Sequence, residues 1–358
     1  MATDKVTLSP TITWNGKEAV EGMIEEAFSR PEFRRFHTVY ENIKAKEQIA
    51  YLRRFSKVTK KDAGCGQGAM GKDLPMYEKF WDPVDAKVWL QFCWKDFLSS
   101  LFAWTIKNGY DKQDLDDTYL MEYIMEVLPD SEIEDIWRIV WFGDTDITHD
   151  GASPAGTLGD SSDIAYYNLI DGLWKQIFAG VSTAFGGYKV PRYTISENSE
   201  STKDDQLTLA DGRAKTIFKE LIRQSDRRLR ARSDKIILCT RELFDNWQDY
   251  KAGKVLETSF AREDTDFEQG LYMNTPIYPI DIWSDMIQSD FDNGTTYYLP
   301  NRALLTTVEN LAVGFDTFEG AAGFNDAYLD KTTELYNIKS LFKIDAKIIE
   351  EFMCSVAY

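Results

Sequence analysis

Histidine is almost missing from this chain: His37 and His149 are the only two in 358 residues. That leaves few candidates for a His-based general base and no basis for a His-rich metal centre. Cysteine is thin as well. Cys65, Cys93, Cys239 and Cys354 stand far apart with no CxxC or Cys/His ligand spacing. Reduced thiols, some of them core filler, are therefore expected rather than a zinc site. No apolar run approaches the ~20 residues of a membrane-spanning helix, so no membrane partner is expected. The opening MATDKVTLSP lacks the basic and apolar regions of a secretion signal, and cytosolic synthesis is expected. GxSxG, HExxH, Walker and kinase signatures do not occur, and no cofactor site is expected. Positive charge is also short: 41 Lys and Arg against 59 Asp and Glu leave a formal charge of −18. Such a chain does not grip phosphate backbones by counterion release. It can still live beside nucleic acid without sticking to it, and like charge keeps a dense pool of chains soluble.

What is present is core material. Apolar residues make up 43% and aromatics 14%, which excludes wholesale disorder. At this length two lobes, or one lobe with large excursions, are expected. A polar N-terminal stretch precedes an amphipathic stripe, Val20, Met23, Ile24, Ala27 and Phe28, which Pro31 ends. Alternation at Ile49, Tyr51, Arg53 and Phe55, and again at Val84, Ala86, Val88 and Leu90, predicts two strands flanking a segment with Gly64, Gly66, Gly68 and Gly71. The string GQGAMG fits a dinucleotide fingerprint only as letters. No helix start follows it, so a flexible hairpin tip is the better reading.

Helical spacing returns from Trp94 to Thr105, closed by Asn108–Gly109, and again from Tyr119 to Leu128. Pro129 is expected to interrupt this second helix, with Ser131 and Glu134 as a capping box that restarts it through Ile133, Ile136, Trp137 and Val140. Asp144, Asp146 and Asp150 then stand somewhat as calcium ligands do, but an EF-hand register starting at Asp144 puts His149 and Ala155 at its sixth and twelfth positions. A solvated turn is favoured. Tyr167, Ile170, Leu173, Trp174, Ile177 and Phe178 predict one amphipathic helix. A further helix, Ala214 to Ile222, runs into Arg223, Arg227, Arg228, Arg230 and Arg232. No aromatics interleave with these arginines, so a face toward an acidic neighbour is preferred to a nucleic-acid patch. DKIILCT reads as a buried strand, RELFDNWQDYKAG as a helix stopped by Gly253, and GLYMNTPIYPIDIW as a sheet edge or long turn. The segment YYLPNRALLTTVENLAVGFDTFEGAAG carries Glu309, Asp316 and Glu319 and reads as framework, with its acids as ordinary polar partners.

Four stretches in this order carry a resemblance: EKFWDPVDAKVWLQFCWKDF, IEDIWRIVWFGDTD, ARSDKIILCTRELFDNWQDYK and YLPNRALLTTVENLAVGFD. Together they resemble the return strand of the extended loop, the helix before a Gly-Asp loop, the axial-domain strand and helix, and the closing strand of tailed-bacteriophage major capsid proteins, the Hong Kong 97-like Johnson fold. The resemblance implies an α+β fold with an N-terminal arm (1–45), an extended hairpin loop (46–92), a peripheral domain with a long spine helix (93–203 and 300–358) and an inserted axial domain (204–299). It implies a structural protein, not an enzyme, forming hexamers and pentamers of an icosahedral head around double-stranded DNA without sequence-specific contact. It implies a virion protein assembled in the bacterial cytoplasm, with a separate scaffolding protein, a portal and minor or decoration proteins as partners.

Lys60, Lys61 and Lys72 stand where some relatives crosslink, but no motif selects one, and noncovalent contact is expected. An isolated hairpin is marginal in water. Phe55, Phe80 and Trp81, with the tip glycines Gly64, Gly66, Gly68 and Gly71, are therefore expected at contacts with neighbouring copies, as are Arg227, Arg228 and Arg230. An acidic glycan hydrolase with a carboxylate pair in an aromatic cleft, or a shell of the same fold enclosing a protein cargo, are the alternatives.

Overall fold

The computed structural model describes residues 28–52, 59, 61, 76–93, 119–152, 155–253, 269–317, 326–330, 333 and 335–358. The strands run β1 (Thr38–Glu41), β2 (Gln48–Leu52), β3 (Met76–Phe80), β4 (Val84–Cys93), β5 (Arg192–Tyr193) and β6 (Lys235–Cys239). They continue with β7 (Gly270–Tyr272), β8 (Thr275–Pro279), β9 (Ala303–Thr307), β10 (Leu311–Asp316), β11 (Asp326–Asp330), β12 (Leu335–Ile348) and β13 (Ser355–Ala357). The longer helices are α1 (Tyr119–Phe142), α2 (Leu173–Ser182), α3 (Arg213–Gln224), α4 (Arg241–Ala252) and α5 (Asp281–Asp290). Two compact units result. The smaller comprises Met1–Arg34, Asp85–Ile136 and Asp316–Lys343, and the larger Arg35–Val84, Trp137–Phe315 and Ile344–Tyr358.

In the smaller unit, β11 lies antiparallel to β12 in the register Asp326↔Lys339 to Asp330↔Leu335, and β4 also pairs with β12. Asn337 of β12 is buried, and its Oδ1 accepts from Trp89 Nε1 (3.1 Å) and Gln91 Nε2 (2.8 Å), both on β4. Phe28 sets its edge against Phe33 and Phe342 at 5.9 and 6.1 Å. Helix α1 corrects the expected break: it runs unbroken for 24 residues through Pro129. A mid-helix proline costs ~3 kcal/mol. Ile133, Ile136, Trp137 and Val140 are all buried along the same helix, and burying an apolar side chain contributes roughly 1.5–3 kcal/mol each. The stripe outweighs the proline, so Ser131 and Glu134 lie inside a helix rather than at a new start.

Glu132 of this helix is 5% exposed, and its carboxyl oxygens have no hydrogen-bond partner among the described residues. Burial, reinforced by Asp135, raises its pKa to about 7 from 4.5. The folded state therefore holds a proton that the unfolded chain releases, and stability falls as pH rises from about 4.5 through about 7. The gap corresponds to about 3 kcal/mol. Glu132→Gln is expected to be the more stable protein at about pH 8 and little changed at about pH 5. Urea midpoints across that range check this; a variant that keeps the parent's slope would place the titration elsewhere.

The larger unit is organised by a six-stranded mixed sheet, β5–β13–β9–β6–β8–β7. β6, the apolar run of DKIILCT, sits inside it, antiparallel to β9 and parallel to β8. Ile217, Phe218 and Leu221 of α3 and Leu243, Phe244 and Trp247 of α4 close one core with Ile237 and Leu305 of the sheet. The sheet ends at the β7–β8 hairpin, whose turn residues Met273 and Asn274 both take positive φ, 47° and 61°; this mirror-image turn matches strand twist. Three strands of the sheet, β5, β9 and β13, come from outside residues 204–299, so the lobe expected there borrows half its sheet from the flanking chain. The helix expected from Tyr167 starts only at Leu173, with Gly172 as its N-cap; Tyr167 and Ile170 are buried ahead of it.

The hairpin also differs from expectation. β2 pairs with β3, from Gln48↔Phe80 to Leu52↔Met76, not with residues 84–90, which belong to β4. The chain turns at Trp81, whose N–H donates to Glu47 O at 2.8 Å. The indole is 4% exposed and packs with Ile43 and Ala312. Gly314 opens the face of β10 for it: a Cβ there would lie 3.1 Å from the ring. Trp81, expected at a contact with a neighbouring copy, is covered by side chains of its own unit.

Candidate functional site

Of the residues expected at contacts between copies, Phe55, Gly64, Gly66, Gly68 and Gly71 lie outside the described residues. The base of the hairpin is described, and β3 alternates exposed and half-buried positions. Tyr77 and Lys79 turn toward their own unit. Tyr77 meets the Phe185 ring at 6.5 Å. Lys79 Nζ donates to Ile348 O (2.5 Å) and to Glu351 Oε1 (2.7 Å), and lies 4.6 Å from the Phe185 ring centre. The apolar cover of the hairpin is therefore partly intramolecular, which sequence reasoning missed. The other face presents Met76 (60% exposed), Glu78 and Phe80 (42%).

The arginine run is largely engaged at home. Arg228 pairs with Asp226 (3.0 Å) and stacks over Phe352 and Tyr188, at 3.5 and 4.4 Å from the ring centres. Arg230 Nη2 donates to Arg223 O and Ser225 O at 2.9 and 2.8 Å, satisfying carbonyls at the end of α3. Arg232 joins Asp234 and Glu309. Arg227 stays exposed on the surface. Glu309 is thus the ordinary polar partner expected of it, and Asp316 is buried at the end of β10. Glu319 lies outside the described residues; in the described part of this stretch, β9 lies within the six-stranded sheet, and β10 pairs in parallel with β1 from Thr38↔Ala312 to Glu41↔Phe315.

The acidic loop holds an ammonium group in place of a metal. Lys175 Nζ sits 2.6 Å from Asp144, 2.8 Å from Asp146 and 2.8 Å from Asp171. Burial opposes its charge, but the three carboxylates outweigh burial and hold the ammonium above its ordinary pKa. Asp171 and Lys175 stand four apart on the chain, a pairing the sequence offered. Among the described residues no group of His, Cys, Asp and Glu is arranged to hold a metal. Cys239 and Cys354 are free and buried. Burial pushes the Cys354 thiol up to about 12 and the Cys239 thiol well above its usual range, so both stay protonated and unreactive.

Beside Lys175 lies a cleft of about 350 Å³ lined by Phe142, Trp174, Phe178, Phe291, Tyr298 and Arg302, among others. Among the described residues its one carboxylate, Asp144, is tied to Lys175, so the facing carboxylate pair that a glycan hydrolase needs is not present among them in this cleft. Arg302 went unnoticed in the sequence; the only signal was a cation directly ahead of the apolar run ALLTT.

No family model and no curated protein matches the sequence. Among solved structures, a chain of the satellite phage P4 procapsid with its size determination protein is similar over 99% of this chain and 93% of that one, with a TM-score of 0.54 and 11% identity. A chain of the cyanophage P-SCSP1u capsid aligns over 90% and 86%, with a TM-score of 0.48 and 10% identity. A mycobacterium phage Patience chain aligns over 95% and 87%, with a TM-score of 0.46 and 11% identity. The fold assignment rests on the P4 chain, whose likeness runs through both units nearly end to end. This chain has the α+β, Hong Kong 97-like fold of phage capsids.

Proposed function

We propose that the chain is a tailed-phage major capsid protein, a structural subunit rather than an enzyme. It would assemble into hexamers and pentamers of an icosahedral head around double-stranded DNA. The observation that carries this reading is the fold likeness to a procapsid chain across 99% of the sequence. The charge of −18 supports it, because the wall of a DNA container should not adhere to its contents. The division into arm (1–45), extended loop (46–92), peripheral domain (93–203 and 300–358) and axial domain (204–299) belongs to the same proposal. So do assembly in the bacterial cytoplasm and a separate scaffolding protein, portal and minor capsid proteins as partners. Electron microscopy of the chain, expressed alone and with a candidate scaffolding protein supplied, tests the reading. Closed shells are the expected product; monodisperse small particles alone would overturn it.

The outward face of the hairpin supplies a sharper test. Met76→Glu with Phe80→Glu alters side chains that are 60% and 42% exposed, so the fold should survive, with stability lowered by no more than about 1 kcal/mol per site. A neighbour resting on that face would have to bury two carboxylates. Shell yield in sedimentation is expected to fall at least tenfold, and parent-like yield would remove this face from the contact.

A further inference from the structure

Arg302 is 1% exposed, and it lines the aromatic cleft of the larger unit. Its Nε donates to Leu299 O (2.8 Å) and its Nη2 to Tyr298 O (2.9 Å). The guanidinium carbon lies 5.4, 5.2, 5.6 and 5.6 Å from the ring centres of Phe142, Trp174, Phe178 and Tyr298. A guanidinium carries five N–H donors, and two are used. Nη1 has no hydrogen-bond partner among the described residues, and no carboxylate there opposes the charge. Burial lowers the pKa to about 10, which still leaves a full cation at neutral pH. Buried arginines are ordinarily paired, because a lone charge in an apolar setting is costly. Ring faces and two carbonyls offset part of that cost. The neighbouring cation, Lys175, already has Asp144, Asp146 and Asp171 around it.

We propose that this cleft is a binding site for a monocarboxylate with an apolar body, its carboxylate on Arg302 and its body against the rings. Planar carboxylate oxygens match the guanidinium fork, and charge-assisted bonds of this kind are the strong ones. A phosphate dianion would bring two charges to a site with one uncompensated cation and Asp144 on its wall. Two sources offer the same chemistry: a free small carboxylate, or an Asp or Glu side chain of a second copy. The second source rests on the shell reading above; the first does not.

Titration of the purified full chain with 3-phenylpropionate, followed by tryptophan fluorescence and calorimetry, tests the site. Saturable binding is expected, at least tenfold tighter than for the uncharged 3-phenylpropionamide, since a hydrogen bond to a charged group discriminates by about that much. Ala179 is exposed and lines the cleft. Ala179→Leu should weaken binding at least tenfold with an unchanged thermal midpoint, and Arg302→Gln should erase the preference for acid over amide. Equal binding of acid and amide, no binding of either, or an Ala179→Leu variant that binds like the parent would each overturn the proposal. Repeating the titration on assembled particles separates the sources. Loss of binding on assembly assigns the site to a neighbour's carboxylate, and retained binding assigns it to a free one. If no particles form, the shell reading fails while the binding measured on the free chain still decides the site.

Discussion

Replacing Trp141 with alanine is expected to destabilise the larger unit by about 3–5 kcal/mol, the range for truncating a buried tryptophan. Trp141 is fully buried, with ring centres of Trp283, Trp174 and His37 at 4.5, 5.6 and 5.6 Å. Its Nε1 donates to His37 Nε2 at 2.9 Å. Alanine would leave a void among rings that cannot collapse together, because Trp174 and Trp283 are themselves held edge to face at 4.9 Å. Trp141→Phe separates the two contributions: it keeps most of the packing and loses the donor, which is worth roughly 0.5–1.5 kcal/mol. Urea unfolding followed by near-ultraviolet circular dichroism gives both values. A loss below ~1 kcal/mol for the alanine variant would mean that the cluster is not the core it looks like.

The parts of this fold that were legible in the sequence are those decided locally. The period of Ile217, Phe218 and Leu221, the stop at Gly253 and the apolar run of β6 each fix an element without reference to anything distant. What was hidden depends on partners far along the chain. Residues 84–90 alternate apolar and polar side chains more cleanly than 76–80, where Glu78 shares a face with Met76 and Phe80, so periodicity pointed to the wrong return strand. Pairing with β2 went to 76–80 because Trp81 turns into the space that Gly314 leaves more than two hundred residues later. Helix α1 passes Pro129 because four buried side chains outweigh one lost hydrogen bond, a comparison of magnitudes that a residue-by-residue reading of helix breakers does not make. The same holds for the candidate sites. Asp144 and Asp146 were read as part of a solvated turn, and the Lys175 ammonium that they hold comes from further along the chain. Arg302 gave almost no signal, since its character comes from rings contributed by α1, α2 and the segment before β9.

Lys79→Met is expected to cost about 3–5 kcal/mol, because it leaves Glu351 as a buried carboxylate without its cation. The two side chains are 15% and 9% exposed, and Nζ lies 2.7 Å from Oε1. Glu351 Oε2 has no hydrogen-bond partner among the described residues, so Lys79 supplies the main compensation for that charge. Lys79 also reaches Ile348 O at the end of β12, and through these bonds it ties the hairpin strand β3 to the chain that leads into the central sheet. The double variant Lys79→Met with Glu351→Leu removes both charges and should recover most of the loss, since well-packed apolar residues replace a buried ion pair at little cost. Urea unfolding of the parent, both single variants and the double variant closes a cycle, in which a coupling energy of at least ~1 kcal/mol is expected. If the single variant instead stays within ~0.5 kcal/mol of the parent, the pair is solvated in solution and the hairpin base is not fixed to its own unit. With the clamp intact, the face carrying Met76 and Phe80 is presented outward on a rigid strand. With it cut but the protein still folded, as in the double variant, any fall in shell yield measures how much assembly depends on holding that strand in place.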